Sequence, residues 1–585
     1  MTDPASMRFP SIRGVIAGGS AIGCIRGIIE GLALYGSHPV RLPAASLARL
    51  CFQTGVLYAV VIAGIGTLLI MLFRRAGLVS DRVRWLWPLL FLVPIVLIDL
   101  NGWSHRHRTV FQEPVLRGTP SRPDFPDILL FTLDTCRADR LGCYGYPTGC
   151  TPVIDALSRR SALFVDAFTT IPVTTSAHAT IMTGLEPMTH GSRFNAVPLH
   201  RRFTTLAERL QDEGYRTGAF IGSFSVVAEV YRLDQGIHVY EQTLSPRYLH
   251  PLLYQSTLLA PIRSIGRFRP AERCAEQIEP WVDAWWRALP PDAPRLTWLH
   301  YYDPHAPYDP PDQWRRIFTG DSNARTSSIW RIHAMNHGEP PVEDEIRTNL
   351  GLYDGEIAQT DRAIGRILEV LASTGRLGRT MIVVMADHGE SLDEHEYFFS
   401  HGDNTFDPSL RIPFLIATPM STSPEKVVAA GVARGLVAGL TGNADLVPTL
   451  LAALGLSAPD ALDGRVRATD GGEARADRVL ICESGSGVYI EAHRATAARI
   501  SRKARAVRTG RMKLVRSSDG RLSAFDLEKD PRELQPIANA QDPRVIRLRE
   551  ILEASIVRDS ADPRYPVLSG DQETVDQLRE LGYVE

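Results

Sequence analysis

From residue 127 onward the chain alternates short apolar runs with amphipathic ones, and this alternation limits its fold more than any other feature. "DILLFTLD" reads as a buried strand ending in an acid. "TPVIDALSRRSALFVDAF" reads as a helix opening after Thr151-Pro152, then a short strand. "TLAERLQDEGYRTGAFIG" is helix, glycine turn and strand, and "RLTWLHYYD" is a strand. "EIAQTDRAIGRILEVLASTG" is an amphipathic helix ending at Gly375, and "TMIVVMADHGE" is the strand after it. Helix alternating with strand argues for an α/β fold around a parallel or mostly parallel sheet. Ligands bind such sheets where strands end and loops begin. Asp134, Asp387 and His388 are therefore expected at the carboxyl ends of strands. Two carboxylates and one imidazole make an oxygen-rich donor set with a single nitrogen, suited to one divalent cation. The plainer alternative is that Asp134 caps the next turn and Asp387-His388 is a polar loop.

The first part of the chain has a different character. Residues 55–73, "GVLYAVVIAGIGTLLIMLF", hold no charge and are long enough to cross a bilayer as a helix, with Arg74 and Arg75 at the end. Residues 85–98 are shorter, and their tryptophans suit a membrane boundary. Residues 14–35 are interrupted by Arg26 and Glu30, which lie four apart and can pair on one helix face. The alternative for that stretch is an amphipathic segment on the membrane surface. Residues 1–104 are expected to form a membrane region of about three spans, and residues 105–126 a linker. Three spans with a cytoplasmic N-terminus would make a multi-pass protein with an extracytoplasmic body, although arginines flank both sides of the last span.

A formal net charge of −2 gives no electrostatic case for a nucleic-acid partner. Seven cysteines without a C-x-x-C argue against a zinc site and against a disulfide scaffold.

"PVTTSAHATIMTG", residues 172–184, raises the question of whether a hydroxyl there does chemistry or caps a helix. A free threonine hydroxyl is a poor nucleophile near neutral pH, and a divalent cation makes its proton easier to lose. At a helix N-terminus it would also meet a partial positive charge that favours an anionic substrate. The competing reading is a simple cap by Thr174 or Thr175.

Several stretches together resemble one family. "ILLFTLDTCRADRLGCYGY", "TPVIDALSRRSALFVDAF", "TTSAHATIMTGLEPMTHG", "WLHYYDPHAPYDPP", "YDGEIAQTDRAIGRIL" and "VVMADHGESLDEHEYFFSHGDNTFDPSLRIPFL" are similar, in this order, to sulfatases of the alkaline-phosphatase-like superfamily. "AVRTGRMKLVR", "AFDLEKDPRELQPIA" and "LRELGYVE" resemble the family's small C-terminal subdomain. The resemblance covers residues 127–585 and implies a catalytic domain over 127–470 and an α+β subdomain over 471–585. The implied fold is a central mixed, mostly parallel sheet flanked by helices.

The resemblance also implies a site. Asp134 matches the first metal-binding Asp, with Thr135 where a second Asp is common, and Asp387 and His388 match the second metal pair. The implied cofactor is one divalent metal ion, manganese, zinc or calcium. Counting back from Thr183-Gly184, Thr174 falls on the signature Cys that sulfatases convert to formylglycine, and His178 falls on the signature Arg. Thr174 is thus the implied nucleophile and a fourth metal ligand, with Thr175 and Ser176 as neighbouring hydroxyls. His178, His305 and His401 are implied to contact the anion, and His305 and His401 also to protonate the leaving oxygen. His300 reads as a strand residue, Glu390 and Glu394 as loop acids, and Tyr353, Asp354, Glu356 and Asp361 as helix packing and surface charge.

The expected reaction is hydrolysis of sulfate or phosphate esters. A sulfated threonine lacks the second hydroxyl by which hydrated formylglycine expels sulfate, so the missing Cys shifts weight toward phosphate or phosphonate esters. Expected partners are an anionic ester substrate, a glycan or a lipid, and a membrane. Alternatives are transfer of a phosphate-linked headgroup between membrane lipids or glycans, and a non-catalytic relative that binds anionic glycans.

Overall fold

The computed structural model describes residues 124–560 except 194, 196, 243, 245–271, 421–433, 468–477, 486–503 and 518. The expected membrane spans, almost all of the linker, and "LRELGYVE" lie outside the described residues. Among the described residues, no helix is long and apolar enough to cross a membrane.

The chain divides into two compact units. One comprises Met1–Phe111, Thr243–Arg273 and Pro280–Leu289. Most of the helix Glu279–Ala288 belongs to it, with Trp281, Trp285 and Trp286 buried. The other comprises Gln112–Gln242, Cys274–Glu279 and Pro290–Glu585, and everything below concerns this unit.

Its strands are β1 (Asp127–Leu133), β2 (Ser161–Phe164), β3 (Ala167–Phe168), β4 (Arg216–Ile221), β5 (Val239–Glu241), β6 (Arg295–Tyr301) and β7 (Thr380–Ala386). Then follow β8 (Phe414–Ala417), β9 (Gly435–Val437), β10 (Thr441–Gly442), β11 (Leu480–Glu483), β12 (Ala504–Arg508), β13 (Met512–Ser517) and β14 (Leu522–Asp526). The main sheet runs β5-β4-β6-β1-β7-β8-β2-β9. All neighbours in it are parallel except around β8, which is antiparallel to both β7 and β2. The mostly parallel sheet expected from the sequence is present. Every residue of β1, β6 and β7 is buried, as strands covered on both faces require.

A second sheet, β11-β12-β13-β14, is antiparallel throughout. One face packs Leu480, Cys482, Ala506, Val515 and Phe525 with Phe168, Leu410 and Leu440. The other packs Val507, Leu514 and Ala524 with Val545, Leu548 and Leu552 of the helix Pro543–Ser560. Alternation along each strand thus supplies two apolar faces.

This sheet is also tied by ions to the segment between β7 and β8. The buried Lys513 ammonium lies 2.8 Å from Asp407 and 2.7 Å from Glu533, and Arg508 pairs with Asp407 at 2.9 Å. Two cations hold Asp407 below its ordinary range despite burial, whereas burial pushes Glu533, which has only Lys513, up to about 7.

The 31-residue helix Glu343–Ser373 corrects one sequence expectation. Asp354, Glu356 and Asp361 are buried rather than surface charges. Asp354 accepts from Tyr146 (2.6 Å) and Glu356 from the Asp309 N–H (2.7 Å). Asp361 accepts from the Val153 and Ile154 N–H groups at 3.0 and 2.8 Å, capping the helix Pro152–Ser158. The helix buries its acids because each holds loop backbone or a side chain that water would otherwise solvate.

Candidate active site

Strand register builds the centre. Leu133 of β1 pairs with Ala386 of β7, so the next residues, Asp134 and Asp387, leave the sheet side by side. Asp134 N–H still donates to the Tyr301 carbonyl at 2.9 Å. Thr135 then turns into the left-handed region with φ 56°, unusual for a β-branched residue. Two contacts hold it there. Its N–H donates to Asp387 Oδ1 at 3.3 Å, and Tyr353 donates its hydroxyl to the Thr135 carbonyl at 2.8 Å. The turn after His388 needs glycine, because a Cβ on Gly389 would lie 2.2 Å from the Pro408 carbonyl oxygen.

Thr174 is the first residue of the helix Thr174–Thr183, all of it buried. Val173 holds the N-cap position, so the capping alternative for Thr174 and Thr175 does not apply. Thr174 Oγ1 instead lies 3.2 Å from His388 Nε2. Thr175 donates its hydroxyl to the Ser225 carbonyl at 2.7 Å, while the buried Ser176 hydroxyl has no partner among the described residues.

Asp134, Asp387 and His388 each offer an atom within 4.8 Å of the others. Both oxygens of Asp134 and Oδ2 of Asp387 are buried without hydrogen-bond partners among the described residues. Burial foremost, then the charge of Asp387, raises the Asp134 pKa well above its ordinary value, and burial likewise raises Asp387. His388 Nδ1 lies 2.9 Å from the Gly389 carbonyl and must donate to it, so the ring turns the lone pair of Nε2 toward the two acids. Buried, orphaned carboxylate oxygens facing a lone pair are costly unless a cation joins them. The donor set therefore fits a divalent ion.

His305 and His401 stand beside this set. Their rings lie 5.0 Å apart, and the His401 ring is 4.4 Å from that of His388. His401 Nδ1 meets Glu390 Oε1 at 2.9 Å, and His305 Nδ1 meets the Ala306 carbonyl at 2.6 Å. Both partners are acceptors, so Nε2 is the basic nitrogen in each ring. Glu390 is buried and also accepts from Tyr308 at 3.3 Å. Glu394, by contrast, pairs with Arg137 at 2.8 Å.

His178 is placed differently from the other two histidines. It is fully buried, with Nδ1 2.7 Å from the Thr174 carbonyl and Nε2 3.0 Å from Thr132 Oγ1. Both nitrogens thus rest on protein partners, behind the turn that carries Thr174.

Sequence reasoning passed over two residues. Tyr353 supports the strained Thr135 turn, and His300 sits on β6 opposite Thr132, with Nε2 3.7 Å from Asp134 Oδ2. The sequence held no signal for His300, since its place on the face of Thr132 and Asp134 is set by the register of β6 on β1.

The C-terminal sheet reaches both flanks of the centre. The N–H of Glu483 donates to the Thr170 carbonyl at 2.9 Å, and that of Gly485 to the Gly402 carbonyl at 2.8 Å. Thr170 precedes the Thr174 helix, and Gly402 follows His401.

Comparison with known proteins agrees with this arrangement. Residues 126–456 match the sulfatase family, and residues 393–560 match the family described as N-sulphoglucosamine sulphohydrolase, C-terminal. An ulvan-active sulfatase of Formosa agariphila is 23% identical over 77% of this chain and 83% of its own length. A choline-sulfatase of Rhizobium meliloti is 26% identical over 67% of this chain and 78% of its own. The crystal structure of a phosphonate monoester hydrolase of Agrobacterium radiobacter shares the fold, with TM-score 0.56 and 23% identity over 74% of this chain and 95% of that one. With the family match spanning more than half of the chain and the paired acids at the sheet edge, this protein belongs to the sulfatase family and is a sulfatase-like ester hydrolase.

Proposed function

We propose that this protein is a membrane-anchored, metal-dependent hydrolase that uses Thr174 as its nucleophile on phosphate or phosphonate esters. The observation that carries the reading is Thr174 Oγ1 at 3.2 Å from His388 Nε2, beside the orphaned oxygens of Asp134 and Asp387. A divalent ion held by Asp134, Asp387, His388 and Thr174 would supply Lewis acidity, easing loss of the hydroxyl proton and drawing charge from the ester oxygen. Thr174 attacks phosphorus and becomes esterified while the alcohol departs. His401, oriented by Glu390, or its neighbour His305 gives a proton to the departing oxygen. Water then cleaves the threonine ester. Because threonine has no second hydroxyl, this last step needs attack from outside, which phosphorus accepts more readily than sulfate does.

A panel of phosphate monoesters, diesters, phosphonates and aryl sulfates, run with manganese, zinc and calcium, tests the substrate class. Turnover confined to aryl sulfates would remove the phosphorus reading. Product carrying the group on an added alcohol, without free anion, would replace hydrolysis by transfer.

Two further outcomes are expected. His401→Asn should slow poor alkyl leaving groups by about 10²–10⁴-fold and nitrophenyl leaving groups much less. Equal losses on both would show that His401 is not the acid. Asp387→Asn should abolish stoichiometric metal in the purified protein, read by elemental analysis, and full metal content would count against the site.

In this reading residues 55–73 are the principal anchor and the substrate is a lipid or glycan ester outside the cytoplasm. The full chain is expected to stay with membranes through alkaline carbonate washing, and release into the wash would argue for a peripheral protein.

A further inference from the structure

The loop 391–400 closes on itself immediately before His401. Ser391 and Ser400 form an antiparallel bridge, exchanging N–H to carbonyl bonds of 3.0 and 3.1 Å. The next pair outward is Glu390 and His401. It falls at the non-hydrogen-bonded position of the pairing, where facing side chains come closest. The contact of His401 Nδ1 with Glu390 Oε1 at 2.9 Å is therefore a product of how this loop closes.

The closed loop is strained. His395, Glu396 and Phe399 have φ of 58°, 55° and 47°, in the left-handed region although none is glycine. Such a run persists only where surrounding contacts over-determine it. Inside the loop, the Phe399 N–H donates to the Leu392 carbonyl at 3.2 Å, and the Tyr397 hydroxyl reaches the His401 carbonyl at 2.9 Å. Phe398, between Glu396 and Phe399, is held from outside. Asn336 Oδ1 accepts from the Phe398 N–H at 2.8 Å, and Asn336 Nδ2 donates to the Phe398 carbonyl at 2.9 Å. One side-chain amide thus takes both polar groups of a backbone residue, as a neighbouring strand would. Nδ2 also donates to the Ile332 carbonyl at 3.0 Å, which fixes the orientation of the amide. Asn336 ends the helix Ile329–Asn336, whose Arg331 pairs at 2.7 Å with Glu345 of the long helix Glu343–Ser373. The clamp therefore stands on a frame that is separate from the loop.

We propose that Asn336 is a positioning residue for the Glu390–His401 pair. It acts through the backbone of Phe398. Its clamp selects the left-handed path that returns Ser400 to Ser391 and so sets the His401 ring against Glu390. The effect on turnover rests on the reading of His401 as proton donor to the departing oxygen. Without the clamp the ring loses its fixed aim, and the step that suffers is departure of an alcohol that needs a proton.

The test uses the full chain labelled with ¹⁵N-histidine. In the unmodified protein the His401 Nδ1–H, bonded to Glu390, should give a downfield proton resonance, identified by its loss in His401→Asn. Asn336→Ala should broaden or abolish that resonance. It should also lower kcat on the ethyl ester of phenylphosphonic acid by about 10–100-fold, and on the nitrophenyl ester by less than about threefold with KM unchanged. Glu396 is exposed and glycine accepts its φ readily, so Glu396→Gly relieves strain in the loop. Added to Asn336→Ala, it should restore the resonance and most of the ethyl-ester rate, which separates positioning from a general loss of fold. A resonance unchanged in Asn336→Ala, or equal losses on both esters that Glu396→Gly does not recover, would overturn the assignment. If His401→Asn itself shows no preference between leaving groups, the proton-donor reading fails, and the resonance still decides whether Asn336 sets the pair.

Discussion

Thr174→Ala is expected to lower kcat by about 10³-fold or more, with the melting temperature close to wild type. The hydroxyl does not cap its helix, and it lies against the His388 ring beside Asp134, so removing it should disturb chemistry far more than folding. Thr174→Ser keeps an oxygen at the same position and should retain most of the activity. The adduct offers a second readout. A slow substrate quenched in acid should leave its phosphoryl group on the 172–184 peptide of the wild type and on nothing in Thr174→Ala. Equal turnover by the alanine variant, or label on Thr175 or Ser176, would move the nucleophile elsewhere. Ser176 is the instructive competitor, because its hydroxyl is buried and without a partner among the described residues.

Lys513→Met should be strongly destabilising, costing about 3–5 kcal/mol. It leaves Asp407 with Arg508 and takes from the buried Glu533 its ion-pair partner. The loss should depend on pH. Glu533 already sits up at about 7, above the ordinary glutamate value, and removing Lys513 raises it further. A carboxyl whose folded pKa is raised favours the folded state when protonated, and that advantage fades as pH climbs from the unfolded value through the folded one. The variant should therefore be closest to wild type below pH 6 and farthest from it above pH 8. Thermal inactivation half-lives across that range check the sign. A deficit that stays constant across that range would show that Asp407, not Glu533, carries the cost.

The centre was legible in the sequence where one strand could reveal it. "DILLFTLD" and "VVMADHG" announce strands that end on acids, and a parallel sheet can bring such ends together without knowledge of the turns between them. The position of Thr174 at the start of a helix was legible, because the helix begins where the pattern places it. His300 was not, because its importance depends on β6 lying beside β1 in register, and a wholly buried strand shows no alternation that would mark one face. The acids of Glu343–Ser373 misled for the opposite reason. A helical stripe of Asp and Glu looks solvent-facing until the loops it caps are known, and those loops are far away in sequence. Lys513 sat unnoticed in "RMKLV", where its neighbours describe a strand and say nothing of two distant carboxylates.

The backbone bonds from Glu483 to Thr170 and from Gly485 to Gly402 mean that one late segment of the chain grips the backbone on both sides of Thr174 and His401. Ribosomal synthesis delivers Thr174 and His401 before it delivers that grip. The nascent polypeptide thus carries Thr174 and His401 without these two backbone bonds until residue 485 has been made.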